Sequence, residues 1–524
     1  MNGEVNGGSI SLAVNGADVS IPDDGGSLLD ALRDRLGITS PKDGCSPQGQ
    51  CGCCTVWIDG SPRVACVTPA RRAAGRRVTT LEGLDDAGDW AQAFCAAGAS
   101  QCGFCTPGII MRLAALDPAA RTRPGAVDKA MLAHLCRCTG WRSIPEAVRL
   151  VARGPAVATP ARDLDAASRR ATIEGRVAQI VSSRVALGGG GFAADTAPAG
   201  SLIALRAADG GWVVGETTAE ARSLAGKVQG RRSTAPLRWP IEPPVRETAQ
   251  GWARTLATTW VEPAYLEPDA AWCEPGGEPT SPLANGGAFG GKSSTDVGSA
   301  ARDLADRHGR PVLAMLTRED TVRLGPKRPP VAVGIAADGT GVARVARPAT
   351  GADELVAAIA AIAPDVEVEL VDVEGPPLSG AMRGAGWAEL AVLRSSLGSG
   401  PDRVETAEGA HATAVVDPDG VVRVGVSCGD VLDEVVLRSY CTGAAHMALG
   451  WVRSEAIAVD DRGDPHDLTI RSFGILRAID MPPIEIDIEP SSEPPVNGSD
   501  AVFAAVAAAA WRHAGFPQRW PAGR

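Results

Sequence analysis

Residues Gly44–Gly60, GCSPQGQCGCCTVWIDG, place three cysteines as Cys45-x5-Cys51-x2-Cys54 in a loop that runs directly into an apolar stretch. Gly44, Gly49 and Gly52 interrupt the loop, as expected where backbone N–H groups must turn inward toward bound sulfur. Thr55 to Ile58 read as a strand, Asp59-Gly60 as a turn, and a second strand continues through Val64, with Cys66 just beyond. Upstream, Ser9 to Val14 and Ala17 to Ile21 alternate as strands around Asn15-Gly16, a strong hairpin signal. Ser27 to Leu36 read as a helix, with Ser27 as N-cap and Asp30 as its capping-box partner. This order predicts a small β-grasp that packs a cysteine loop against its helix.

A second set follows as Cys102-x2-Cys105 and Cys136-x-Cys138, in sequence with helical spacing. Trp90 to Ala97, Gly108 to Leu116, Val127 to Leu135 and Ile144 to Val151 carry the helices, and the cysteines fall at their ends. Ten of the 13 cysteines lie before residue 140. Two sets of four thiolates suit either structural zinc or iron-sulfur clusters. The first loop resembles the plant-type ferredoxin pattern C-x4-C-x2-C, lengthened by one residue. Cys53 reads as a spectator, and Cys95, Cys273, Cys428 and Cys441 as small buried apolar residues.

Composition limits what else the chain does. A length of 524 residues allows three or four domains, and 44% hydrophobic with 22% charged residues is ordinary for a globular protein. A formal charge of -11 argues against a nucleic-acid or anionic-membrane binder. The N-terminus lacks the marks of a secretory signal, and the apolar run Ala501 to Trp511 is too short to cross a bilayer, so a cytoplasmic enzyme with reduced thiols and a buried helix at 501–511 is expected. The stretch 153–180 is rich in Ala, Pro and charge and reads as a linker with one helical stretch; Gly188 to Gly191 read as a flexible connection. Beyond residue 185, short apolar strands alternate with Ala-rich helices in a mixed α+β pattern.

Three motifs in order, GCSPQGQCGCCTVWIDG, QCGFCTPGIIM and LCRCTGW, make residues 9 to 152 resemble the iron-sulfur subunit of the xanthine dehydrogenase and aldehyde oxidase family of molybdenum hydroxylases. The resemblance implies one 2Fe-2S cluster on Cys45, Cys51, Cys54 and Cys66, a second on Cys102, Cys105, Cys136 and Cys138, and Gln101 beside the pterin of the molybdenum cofactor. Farther on, EPAYLEPDAAWCEP (Glu262 to Pro275), GGAFGGK, MRGAG and SEPP resemble pieces of the family's molybdopterin-binding subunit. They imply a cofactor cradle at Gly286, Gly287, Ala288, Phe289, Gly290, Gly291 and Lys292, a further contact at Arg383, and a catalytic carboxylate at Glu493.

GGAFGGKS also fits the phosphate-loop template G-x4-G-K-S/T. A nucleotide-binding loop needs a buried strand before it, whereas Pro279 and Pro282 stand there. The sequence departs from the family in three places: its cofactor region is shortened, Ser492 replaces the glycine before the catalytic Glu, and Ser439 to Gly443 replace a Gly-Gln contact.

The fold expected is α+β and multidomain: a β-grasp 2Fe-2S ferredoxin-like domain over 1–82, a helical-bundle 2Fe-2S domain over 83–153, a linker over 154–184 and a shortened mixed α+β molybdopterin-binding-like region over 185–524. The function implied is hydroxylation of a small-molecule aldehyde or N-heterocycle, with electrons leaving through both clusters to a separate FAD-containing or other acceptor protein. The rival reading is an electron-transfer or assembly subunit whose cofactor region holds no molybdenum.

Overall fold

The computed structural model describes residues 8–45, 47–154, 162–226, 235–246, 251–281, 288, 292 and 295–523. β1 (Ser9–Val14) and β2 (Ala17–Pro22) form the expected hairpin, with Asn15 and Gly16 both at positive φ. β3 (Thr55–Ile58), β4 (Ser61–Val64) and β5 (Arg77–Thr79) complete a five-stranded sheet ordered β2-β1-β5-β3-β4. β5 was not anticipated; at three residues it is too short to show a period, and it is fixed by pairing between β1 and β3. Ser27 caps the helix through a reciprocal capping box with Asp30, and the helix widens into a π turn over Ala31–Arg35.

Five α-helices follow the sheet up to Arg153, the longest being Ala87–Ala96, Thr106–Ala114 and Ser143–Arg153. The indole N–H of Trp57 on β3 donates to the Met111 carbonyl at 2.7 Å, so the β-grasp and the helical unit share one boundary. The remaining strands make three four-stranded sheets. In the first, β6 (Leu202–Arg206), β7 (Trp212–Gly215), β9 (Ala270–Cys273) and β10 (Val312–Met315) run in the order β7-β6-β10-β9 beside the helix Val297–His308. The second joins β8 (Arg254–Ala257), β11 (Val331–Ile335), β12 (Gly341–Ala346) and β13 (Val366–Val371) as β13-β12-β11-β8. The third runs from β14 (Asp402–Glu405) through β15 (His411–Val416) and β16 (Val422–Ser427) to β17 (Ile484–Glu489).

Two long helices, Glu434–Arg453 and Ser499–His513, pack together at the centre, and residues 499–511 of the second are buried throughout. One hydrophobic core joins the β-grasp, the helical unit and the second and third sheets; the first sheet has its own smaller cores. The protein is therefore a multidomain α+β chain whose C-terminal region is built around the cysteine-bearing part. Among the described residues, no helix is long and apolar enough to cross a membrane.

One expectation is refined here and another corrected. The stretch read as a linker with one helical stretch does contain one helix, Leu164–Gly175, but it is docked on the core, with Ala166, Ala167 and Ala171 buried. Its Arg170 is completely buried, pairs with Glu174 at 3.1 Å and donates to the Val496 carbonyl. Glu174 in turn accepts from the Gly498 and Ser499 N–H groups, capping the central helix Ser499–His513. An Ala-rich, charged composition is shared by linkers and by helices whose small face allows close packing, so composition alone misled. The glycine run Gly188–Gly191 is the second case: a Cβ on Gly190 would lie 2.6 Å from the Cys102 carbonyl oxygen, so this segment is packed against the second cysteine set.

Glu174→Ala should destabilise the protein strongly, by roughly 3–5 kcal/mol, because it leaves the Arg170 charge buried without its partner and removes a helix cap. A urea midpoint unchanged from the wild type would contradict this packing role.

Candidate electron-transfer and cofactor site

All eight predicted ligand cysteines are buried, and none is in a disulfide. In the first set, Cys45 adjoins Cys51 and Cys66, and Cys66 adjoins Cys54. Hydrogen bonds from the Cys51 and Cys66 thiols hold the Cys45 pKa well below its ordinary value. Backbone N–H groups already face sulfur: Gln48 donates to Cys45 Sγ at 3.2 Å and Cys66 to Cys54 Sγ at 3.4 Å. In the second set, Cys102 Sγ and Cys138 Sγ are 3.6 Å apart, and Cys105 adjoins Cys136. Cys105 and then Thr139 hydrogen-bond to Cys136 and lower its pKa to about 6.

Two thiolates bound ~2.3 Å from one tetrahedral metal would sit about 3.8 Å apart. The Cys102–Cys138 and Cys105–Cys136 pairs thus suit one iron each. Among the described residues, no three Cys, His, Asp or Glu side chains converge on a single metal point. The donor set, four thiols paired two by two with N–H groups aimed at sulfur, fits a 2Fe-2S cluster.

The two sets interlock through backbone contacts that exclude side chains. Gly52 has φ +74°, and a Cβ there would stand 2.5 Å from the His134 ring nitrogen. Leu135 N–H donates to the Cys51 carbonyl at 2.9 Å. Gly108, in the helix Thr106–Ala114, packs on the Gly52 and Cys53 carbonyls. Cys53 is completely buried and feels the charges of Cys45 and Cys54 on one side and of Cys136 on the other. On the outer side, Gly443 of the helix Glu434–Arg453 meets the Cys138 carbonyl so closely that a methyl has no room.

Gln101 lies where the second set meets a cavity of about 580 Å³, lined by Gln101, Cys102, Gly189, Gly190, Thr280 and Ser281 among others. Its Nε2 donates to the Cys138 carbonyl at 3.1 Å and to Ser439 Oγ at 2.9 Å, while its buried Oε1 has no partner among the described residues. Ser439 is thus a new contact in the stretch where the sequence departs from its family.

Of the glycine-rich loop, Gly286, Gly287, Phe289, Gly290 and Gly291 lie outside the described residues. Ala288 is buried and lines a second cavity of about 40 Å³ together with Arg137, Arg328, Arg383 and Glu455. Lys292 is buried and pairs with Glu267 at 2.7 Å. Burial raises the Glu267 pKa to about 7 against the pull of Lys292. Arg383 donates from Nε to Asp500 at 2.8 Å. Arg137, between two ligands of the second set, forms two bonds to Glu455 at 2.6 and 2.7 Å. The structure therefore brings Ala288 and Arg383 together beside the second set.

Glu493 is not part of this arrangement. It is exposed in the turn after β17, with its N–H on Ser491 Oγ at 3.1 Å and its carbonyl accepting from Asp430 at 2.8 Å. The structure thus does not bring the expected catalytic carboxylate to either cavity among the described residues. The carboxylates that do face the small cavity or its arginines are Glu455, Glu389 and Asp500. Their partners lie tens to hundreds of residues away, so no local spacing announced them.

Comparison with known proteins agrees with this geometry. Residues 80–149 match the [2Fe-2S] binding domain family. The nicotinate dehydrogenase small FeS subunit of Eubacterium barkeri is 42% identical over 146 residues, which are 27% of this chain and 92% of that protein. The chain belongs to the xanthine dehydrogenase and aldehyde oxidase family. It is also 36% identical over 146 residues to the xanthine dehydrogenase iron-sulfur-binding subunit of Escherichia coli O157:H7, covering 27% of this chain and 91% of the relative. The fold as a whole is similar to that of the aldehyde oxidoreductase from Desulfovibrio desulfuricans, with a TM-score of 0.71 at 16% identity over 96% of this chain and 97% of that one. The protein is an oxidoreductase of this family with a 2Fe-2S-binding domain.

Cys66→Ser should abolish one paramagnetic 2Fe-2S signal and Cys102→Ser the other, each lowering iron content by about half. Gly443→Ala should weaken only the second of these, since the methyl pushes on the Cys138 carbonyl. Loss of both signals in either cysteine variant would show that the two sets are not separate centres.

Proposed function

We propose that this chain is a molybdenum hydroxylase-type oxidoreductase that hydroxylates an aldehyde or an N-heterocycle and passes electrons through two 2Fe-2S clusters to a separate flavin-containing or other acceptor protein. The observation that carries this reading is the Gln101 amide, which faces the 580 Å³ cavity and also bonds the Cys138 carbonyl. The volume lies in the range of about 300–1,000 Å³ usual for organic ligands. Gln101 Oε1 offers a buried acceptor for a ring N–H, and the glycines at 189–191 let the backbone approach closely. Bound there, a molybdenum-pterin group would supply the two-electron oxidation and the hydroxyl transfer.

Everything else falls to the chain itself. Gln101 orients the ligand and precedes Cys102, so the cavity and the second cysteine set are separated by one peptide unit and one hydrogen bond. From the second set, the Leu135–Cys51 hydrogen bond and the Gly108 contact lead to the first. The first set then delivers electrons one at a time to the acceptor.

A second reading, an electron-transfer or assembly subunit without molybdenum, is favoured by the small cavity. Its arginines are paired with carboxylates, and about 40 Å³ holds a water rather than a substrate. Metal analysis separates the two. Protein from a host that makes the cofactor should contain about four irons and one molybdenum under the first reading and about four irons alone under the second. Gln101→Ala should retain both cluster signals and hold molybdenum roughly 10–100-fold more weakly, the usual scale for a contact that orients a bound metal group. Glu493→Gln should leave turnover unchanged.

A further inference from the structure

The loop of the first cysteine set is held at two carbonyls, each belonging to the residue before a ligand. Gly44, before Cys45, accepts from Arg318 Nη2 at 2.7 Å and from its Nε at 3.3 Å. Gln50, before Cys51, accepts from Arg471 Nε at 2.9 Å. Both arginines come from the C-terminal region, far along the chain from the loop.

Arg318 is completely buried, and its third hydrogen bond goes to the Leu266 carbonyl at 2.7 Å. Its Nη1 is buried without a hydrogen-bond partner. Gly44 itself is wedged against the cluster loop, since a Cβ there would be 3.2 Å from Cys51 Sγ. Arg471 donates from Nη2 to the Leu132 carbonyl at 2.9 Å and so spans from the first loop to the helical unit. Gln48 completes the junction, donating to Leu468 O at 3.1 Å and accepting from Ile470 N–H at 3.2 Å. The charges of Cys51 and Cys45 act on Arg471, opposing the larger effect of burial on its pKa.

Among the described residues, neither arginine makes an ion pair with a carboxylate. This differs from Arg137, Arg170, Arg328 and Arg383, each of which is buried with a carboxylate partner. Arg471 is only partly buried, whereas Arg318 is completely so, and a buried cation without a counter-charge is costly. Four thiolates, two sulfides and two ferric ions carry a net negative charge that grows by one unit on reduction, and that charge is the missing partner.

We infer that Arg318 and Arg471 are positioning residues that counter the charge of the first 2Fe-2S cluster and raise its reduction potential, so that the C-terminal region favours electron arrival at this cluster from the second. The inference rests on the cluster reading proposed above. Removing either cation disfavours the more negative, reduced cluster and lowers its potential.

The test is a redox titration followed by paramagnetic resonance on the full-length protein, with the signal lost in Cys66→Ser assigned to the first cluster. Arg318→Gln and Arg471→Gln should each shift the reduction equilibrium of that signal by about tenfold toward the oxidised form, ~59 mV for one electron. The other signal, as internal reference, should not move. A full iron load with an unchanged first-cluster midpoint in both variants overturns the inference. If a Gln variant does not load the first cluster, the charge-keeping Arg318→Lys and Arg471→Lys decide. Lysine variants that load it near the wild-type midpoint support a charge role. Lysine variants that fail or shift as far as Gln show a role of shape and overturn it. A wild-type protein without any iron-sulfur signal would instead sink the cluster reading itself.

Discussion

The structure depends on burying two sets of four cysteine thiols within a chain that must surround them with donors and cations and leave them no space to move. That constraint is met by backbone packed on backbone. Gly443 lies on the Cys138 carbonyl, Gly140 on the Thr442 carbonyl, and Gly108 on the carbonyls of Gly52 and Cys53. Each contact excludes even a methyl group, so each sets the distance between a ligand loop and its support to within a few tenths of an ångström. The glycines belong to segments far apart in sequence, and a ligand loop takes its shape only when those segments have docked.

Charge reinforces the same docking. The pairs Arg137–Glu455, Arg328–Glu389, Arg383–Asp500, Lys327–Glu262 and Lys292–Glu267 are all buried. Taking such pairs out of water gives little net stability over an apolar alternative. Breaking one is costly, however, so the pairs penalise any arrangement in which the segments meet out of register. Arg137 shows the consequence for function: its position between Cys136 and Cys138 is fixed by Glu455, and an element of the C-terminal region thereby sets the geometry of the second ligand pair.

What the sequence revealed follows the range of the forces involved. The Asn15-Gly16 hairpin, the Ser27–Asp30 capping box and the strand Thr55–Ile58 are local features, decided within about ten residues, and they were legible. The docking of the helix Leu164–Gly175 was obscured because its stabilisation comes from contacts with residues 430–500. Gly188–Gly191 looked like a flexible tether because a glycine permits freedom and close approach equally, and only the Cys102 carbonyl beside Gly190 decides between them. Glu493 matched a pattern of letters, but whether a Glu-Pro-Pro turn points inward depends on what covers it, and here nothing does. Gln101 was singled out only by the resemblance that QCGFCTPGIIM carries, and nothing local pointed to its hydrogen-bond partner Ser439.

Relatives that match the first part of this chain are named as separate iron-sulfur subunits, whereas here that part and the C-terminal region form one polypeptide. Contacts between separate chains must first overcome the lost freedom of association, several kcal/mol before any interaction counts. Within one chain the same contacts form at an effective concentration set by the connecting segment. A short segment followed by the docked helix Leu164–Gly175 keeps that concentration high. Weak individual contacts, such as Gln48 with Leu468 and Ile470, can then hold the first loop continuously. Fusion thus allows a modest set of hydrogen bonds to do what would otherwise need a large apolar interface. The loop it steadies is the one that carries Cys45, Cys51 and Cys54.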